Sequence, residues 1–230
     1  MSTPVAEFYP VGLEPAVAPI PGEVGGLIFQ RRPVTPESLS SLARALRERW
    51  ADFRSLPTRE VIRGLAGVHA RWAETGSVWR EEAVARVHAA TGYAPAAIDE
   101  ALQRQFAGMD AARLSAWLAG SGIPLEALDA GWEGAHALGP LLTVVVASGN
   151  VPGAALPSVV QSLLLKSPCL VKTASGEPIL LPLYARSIAE EAPELARALA
   201  VTGWAGGSVE LESALLPEVE ALIVYGGSEA

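Results

Sequence analysis

Three short runs of small and polar residues each follow a stretch that reads as an apolar strand: Ser148-Gly149-Asn150, Thr173-Ala174-Ser175 and Gly226-Gly227-Ser228. Side chains this small let a ligand lie close to the backbone, and free N–H groups at such turns can hold phosphate oxygens. In a parallel sheet, ligands settle at the carboxyl ends of the strands, so these runs are candidate cofactor contacts. The plain alternative is that glycine and serine stand there only because the chain must reverse.

Thiol chemistry is the second possibility to weigh. Cys169 is the only cysteine, so no internal disulfide can form and a thiolate zinc site is disfavoured; no metal site is expected. A lone cysteine is tempting as a nucleophile. Yet Cys169 begins an apolar strand beside Pro168, and His69, His88 and His136 all lie far upstream, on or between expected helices. The expectation is a buried structural cysteine.

The elements that must position the three runs alternate. Leu141 to Ala147 is a continuous apolar stretch with three successive valines, as for a strand buried on both faces. A turn and an apolar helix to about Lys166 follow. A second strand runs from Cys169 to Lys172, then a helix from beyond Pro178 to about Glu191. A third strand lies near Leu199–Thr202, a glycine-rich turn contains Gly206 and Gly207, and after a short helix comes a strand at Ala221–Tyr225. This order predicts an α/β fold, a Rossmann-like parallel sheet covered by helices.

Upstream, residues 1–36 are rich in Pro and Gly and read as an extended arm with a short strand or two. Residues 37–136 read as helical. Thr35-Pro36-Glu37 supplies a cap and a first-turn proline ahead of Leu39, Leu42, Leu46 and Trp50 at helical spacing. Further helices are expected near 58–75, 79–91, 95–106 and 110–119. Trp50, Trp72, Trp79 and Trp117 read as packing residues of these helices. The dinucleotide-binding segment is then 137–230.

Composition narrows the classes of function. The 230 residues are 50% hydrophobic and 18% charged, with a net charge of −8 and no basic stripe, which argues against a nucleic-acid partner. No apolar run approaches the roughly 20 residues that span a bilayer. The start of the chain lacks a secretory signal, and a cytoplasmic protein that is not transmembrane is expected.

The wording of three segments carries a resemblance. Gly139 to Pro152 looks like the first cofactor-domain strand and turn of the aldehyde dehydrogenase superfamily. Leu164 to Lys172 resembles the next strand, which ends in a cofactor-binding lysine. Tyr225-Gly226-Gly227-Ser228-Glu229 resembles the segment where a helix start meets the pyrophosphate. Together with Lys172-Thr173-Ala174-Ser175 and Trp204-Ala205-Gly206-Gly207, they resemble the acyl-CoA reductase branch, which includes the fatty-acid reductase of bacterial luminescence. The detailed likeness covers about residues 137–230.

The resemblance implies roles. Asn150 would be the amide that stabilises the oxyanion of a tetrahedral intermediate, or else a turn residue holding its own backbone. Lys172 would reach the adenosine ribose or a 2′-phosphate, or else be a solvated lysine at a strand end. Gly227 and Ser228 would contact the pyrophosphate. Gly206 and Gly207 would let the cofactor pass closely, or merely allow a positive φ. Ser148 and Thr173 belong to the same rim. NAD-preferring members place an acid near the ribose 2′-hydroxyl, where it would repel a 2′-phosphate. Here neutral Ser175 stands three residues after Lys172, which favours NADPH, with NADH possible and Glu177 close by. The implied reaction reduces a fatty acyl-CoA, or an acyl group on a protein, to an aldehyde through an acyl-cysteine thioester.

In that family the nucleophilic cysteine follows the Gly-Ser-Glu segment, within which this sequence stops. The expectation is therefore a cofactor-binding part without the nucleophile, inactive alone, served by a second polypeptide or a further domain, and either homo-oligomeric or poorly soluble through an uncovered sheet edge. A non-catalytic cofactor-binding or scaffolding subunit is the alternative from another class. A helical interaction module, which predicts no cofactor binding, is the third.

Overall fold

In the computed structural model, residues 3–131, 136–149 and 151–226 are described. Strands β1 (Ile20–Val24) and β2 (Leu27–Arg31) form an antiparallel hairpin about Gly25-Gly26. Seven helices follow: α1 (Pro36–Glu48), α2 (Trp50–Ser55), α3 (Thr58–Ala73), α4 (Val78–Thr91), α5 (Pro95–Ala107), α6 (Ala111–Gly120) and α7 (Leu125–Asp129). Then β3 (Thr143–Val146), α8 (Leu156–Leu164), β4 (Cys169–Lys172), α9 (Leu180–Glu191), α10 (Pro193–Ala196), β5 (Leu199–Thr202), α11 (Val209–Leu215) and β6 (Ala221–Val224) alternate. No helix among the described residues is long and apolar enough to cross a membrane.

The four later strands form a parallel sheet in the order β5-β4-β3-β6. The chain builds outward from β3 to β5, then returns to lay β6 on the other side of β3. The strand order therefore reverses between β3 and β6, and a crevice at that switch point is where open parallel sheets take ligands. Strand alternation divides the core into two layers. Val145, Cys169, Val171, Leu199 and Val201 face α8, α9 and the α3–α6 helices behind them. Val144, Leu170 and Ala200 face Leu39, Leu42, Ala43 and Leu46 of α1 and Leu215 of α11. The sheet is buried on both faces, which is why its central strands read as unbroken apolar runs.

Helix starts follow local chemistry. Thr35 caps α1 reciprocally with Ser38: the Thr35 Oγ1 accepts from the Ser38 N–H at 3.2 Å, and Ser38 Oγ accepts from the Thr35 N–H at 2.9 Å. The short helices α2 and α7 were not expected from the sequence, since neither has a side-chain cap and five or six residues show too little periodicity. Strand β3 is also shorter than the apolar run from Leu141 to Ala147.

The amino-terminal arm is docked. Phe8 and Val201 exchange two backbone hydrogen bonds of 2.8 Å, which extends the sheet beyond β5, and Gln30 of β2 pairs with Pro4 and Ala6 in turn. Buried Glu7 fastens this arrangement by an ion pair with Arg32, whose N–H also donates to it at 2.8 Å.

Among the helices, Trp72 is fully buried and donates its indole N–H to Ser187 at 2.8 Å. Beside it, His69 bridges Met109 O at 3.0 Å and the Tyr184 hydroxyl at 2.8 Å. A carbonyl can only accept, so Nδ1 carries the proton and Nε2 accepts from Tyr184; the ring is neutral. Burial holds its pKa down to about 4, with the Met109 bond opposing. These histidine and tryptophan side chains serve packing.

Candidate functional site

The strand ends are level. Ala147 N–H donates to Lys172 O, Thr173 N–H to Thr202 O, and Tyr225 N–H to Val146 O, each at 2.9 Å. The ladder thus continues one residue past β3, β4 and β6 and brings the ends of the four strands level along one edge. Ser148, Thr173, Ser175, Gly206 and Gly207 all lie on this carboxyl edge. Asn150, Gly227 and Ser228 lie outside the described residues.

The rim has distinct occupants. Lys172 is buried, and its ammonium stands 5.5 Å from the centroid of the Trp204 ring. Burial lowers its pKa while the charge of Glu212 opposes. Thr173 is buried beside Gly203, where a Cβ would meet the Thr173 Oγ1 at 2.6 Å. That contact makes glycine necessary at 203. Gly207 takes a φ of +73°, so the turn alone accounts for glycine there. Gly206 has no such φ, and a Cβ at it would enter open space. Ser148 is half-buried, and Ser175 is exposed.

A cleft of about 240 Å³ lies here, lined by Thr173, Ala174, Ser175, Gly203, Trp204 and Ala205 from the sheet side. The arm closes it from above with Ala6, Gly22, Glu23, Phe29 and Arg31. The Trp204 indole N–H is buried with no hydrogen-bond partner among the described residues. The neighbouring acid takes no part in this cleft. Glu177 is buried, and its Oε1 accepts from the N–H groups of Ile179 and Leu180, both at 2.9 Å, capping the start of α9. Burial raises its pKa and those two bonds oppose.

A larger cleft, about 440 Å³, sits at the opposite edge and includes Arg54, Arg59, Asp129 and Lys166. Its lysine is already engaged: Nζ donates to Leu128 O at 3.1 Å, to Arg54 O at 3.3 Å and to the Asp129 carboxylate. Volume alone therefore does not mark the site, and an orphaned donor does not either, since Arg54 Nε in this cleft is buried without a partner among the described residues; the carboxyl edge is set apart by its small residues and level strand ends.

Cys169 does not contribute to the rim. It opens β4 at the far end, is fully buried, and burial pushes its thiol up to about 12, opposed by a contact from Ser162. Sequence reasoning missed Trp204 as a cleft wall, although it flanks the quoted glycines. It also missed Arg31 and Glu23, which reach the site only because the hairpin docks there.

The sheet order and its helical layers are those of the aldehyde dehydrogenase fold, as solved structures show. The salicylaldehyde dehydrogenase from Pseudomonas putida G7, complexed with salicylaldehyde, superposes with a TM-score of 0.68 at 14% identity, over 96% of this chain and 46% of that one. The NADP-dependent glyceraldehyde-3-phosphate dehydrogenase from Bacillus halodurans C-125, complexed with NADP, gives 0.64 at 13% identity, over 89% and 44%. Within that fold the chain belongs to the acyl-CoA reductase (LuxC) family, which it matches over residues 54–230. Two long-chain acyl-protein thioester reductases, from Photorhabdus laumondii subsp. laumondii and Photorhabdus luminescens, are each 28% identical, over 86 and 91 residues. Those matches span 36% and 38% of this chain and 18% and 19% of the relatives, so the chain covers only a minor part of the curated relatives it matches.

Proposed function

We propose that this chain is the dinucleotide-binding part of an acyl reductase that converts a fatty acyl-CoA, or another activated acyl group such as an acyl-protein thioester, to an aldehyde. NADPH is the favoured donor and NADH the second. Residues 137–230 form the cofactor segment, 37–136 a supporting helical region and 1–36 an arm. The observation that carries this reading is the carboxyl edge: aligned turns of small residues, with Lys172 and Trp204 beside an open cleft. The orphaned Trp204 N–H and the space at Gly206 fit a polar ligand laid along that edge.

In this proposal Lys172 holds the adenosine ribose and its substituent, with Thr173 and Ser175 on the same rim. Ser148, Gly206 and Gly207 let the dinucleotide lie against the backbone, and Gly227 and Ser228 hold the pyrophosphate. A bound reduced nicotinamide would supply hydride. A cysteine thiolate adds to the acyl carbonyl, the Asn150 amide donates to the oxygen as it gains charge, and the CoA or carrier thiolate leaves. The resulting acyl-cysteine then gives aldehyde and free thiolate. Cys169 cannot be that nucleophile: it is buried at the wrong end of β4 and its thiol is held protonated. The reading therefore assigns the nucleophile to a further domain or second polypeptide, and expects residues 1–230 alone to be inactive. The exposed Leu222 and Val224 of β6 support a covering domain or a second copy there. A cytoplasmic location fits this chemistry.

The test is calorimetric titration of the chain with NADPH, then acyl-CoA turnover with the cysteine-bearing portion supplied. NADPH binding together with turnover in the completed protein is expected; absence of NADPH binding contradicts the reading. The buried state of Cys169 also favours a second reading, a cofactor-binding subunit without catalysis. It predicts NADPH binding but no thiol-dependent turnover in any combination.

A further inference from the structure

The hairpin of the amino-terminal arm brings a cation to the rim that none of the site assignments above includes. β2 ends in two adjacent arginines with different fates. Arg32 is spent on buried Glu7. Arg31 is exposed, lines the cleft with Ser175 and Trp204, and pairs with no carboxylate among the described residues.

Strand register fixes where Arg31 belongs. It is opposite Ile20, and so shares a hairpin face with Gly22, Leu27 and Phe29. That is the face turned to the protein: Leu27 and Phe29 are buried, and the Phe29 ring lies over Gly22, where a Cβ would meet it at 2.6 Å. Glu23, opposite Ile28, belongs to the other face, on which Ile28 is 60% exposed. Glu23 thus alternates to the hairpin face opposite Arg31, while still bordering the cleft.

We propose that Arg31 is a specificity-determining residue that binds the 2′-phosphate of NADPH across the cleft from Ser175. The inference rests on the cofactor reading above and deepens it. A guanidinium presents a fork of N–H donors matched to phosphate oxygens, and gains nothing comparable from a 2′-hydroxyl. The wall facing it is neutral, because Ser175 carries no charge and the Glu177 carboxylate is turned inward to cap α9. A phosphate there meets the Arg31 guanidinium from the arm and the uncharged Ser175 from the sheet. Selectivity between the two nicotinamide cofactors would then depend on a residue roughly 140 positions from the strand end it complements, read directly from the numbering.

The experiment is calorimetric titration of the chain and its Arg31→Ala, Arg31→Lys and Glu23→Gln variants with NADPH, NADH and 2′-AMP. Arg31→Ala should weaken NADPH and 2′-AMP roughly 10- to 30-fold, the range for losing a charge-assisted contact at a partly exposed site, and leave NADH within about twofold. Arg31→Lys should recover part of the loss, and Glu23→Gln should change the NADPH-to-NADH ratio less than Arg31→Ala does. Equal weakening of NADPH and NADH by Arg31→Ala, or no change in either, overturns the assignment while leaving the cofactor reading intact. Failure of the unaltered chain to bind NADPH, NADH or 2′-AMP overturns the cofactor reading itself, and this inference with it. Matching thermal midpoints separate a lost contact from a misfolded hairpin.

Discussion

Strand β4 has a lysine near each end, six residues apart, and the two live differently. Lys166, just before the strand, is 2% exposed and satisfied on all sides by two carbonyls and the Asp129 carboxylate. It even accepts a φ of +55°, unusual for a residue with a side chain, to make those bonds. Lys172, which ends the strand, is buried against the Trp204 ring, and it makes no side-chain hydrogen bond or ion pair among the described residues, although the charge of Glu212 favours its ammonium form. Bonds already made describe structure; donors left over, in a place where small residues clear the way, describe a site. At the amino edge the lysine is closed off by such bonds, although Arg54 Nε beside it is not; at the carboxyl edge the lysine is left able to accept a partner.

The strongest way to break the comparison is Lys166→Met. Losing one member of a buried pair costs ~3–5 kcal/mol, and partial exposure of Asp129 puts this case at the lower end. Thermal unfolding should fall by roughly 6–12 °C for a chain of this size, with NADPH affinity unchanged in calorimetry. A large loss of affinity at unchanged stability would reverse the assignment of the two lysines.

Lys172→Ala should do the opposite. An order-of-magnitude loss in NADPH affinity, about 1.4 kcal/mol, is expected with under ~1 kcal/mol change in unfolding free energy. Glu177 sharpens the contrast at the same edge. Glu177→Ala removes the acceptor for two backbone N–H groups and should cost about 1 kcal/mol in urea unfolding. Glu177→Gln keeps an acceptor oxygen and should cost less, with little effect on nucleotide binding.

The smallest effect is on acid stability. Burial alone would raise the Asp129 pKa, but hydrogen bonds from Lys166 and Thr58 outweigh it and hold the carboxyl below its ordinary range. A lowered folded-state pKa means a contribution present above the unfolded value, near 4, and lost as pH falls through the folded one. Asp129→Asn should remove that part of the acid dependence in unfolding curves measured below pH 4; an unchanged acid limb would contradict it.

How much of this was legible in the sequence follows from what each feature depends on. The α/β alternation could be read because Val144 to Val146 and Leu170-Val171 are uninterrupted apolar runs that lead into polar turns. The α1 start was legible because Thr35 and Pro36 act within one turn of chain. Cys169 was legible as structural from its apolar neighbours. By contrast, Arg31 reaches the rim only through the docking of a hairpin onto β5, and Glu177 faces inward only because α9 begins where it does. Lys166 looked like the end of an apolar helix; its partners, Leu128 and Asp129, belong to a five-residue helix with no periodic signature. Asn150, Gly227 and Ser228 remain assigned by resemblance to the family.

The most direct test of the carboxyl-edge site is hydrogen–deuterium exchange of the chain with and without saturating NADPH. Protection is predicted in peptides covering residues 147–149, 173–176 and 203–207, with none around Lys166 or residues 54–59. Protection confined to the Lys166 edge, or no protection at the strand ends, would contradict the account.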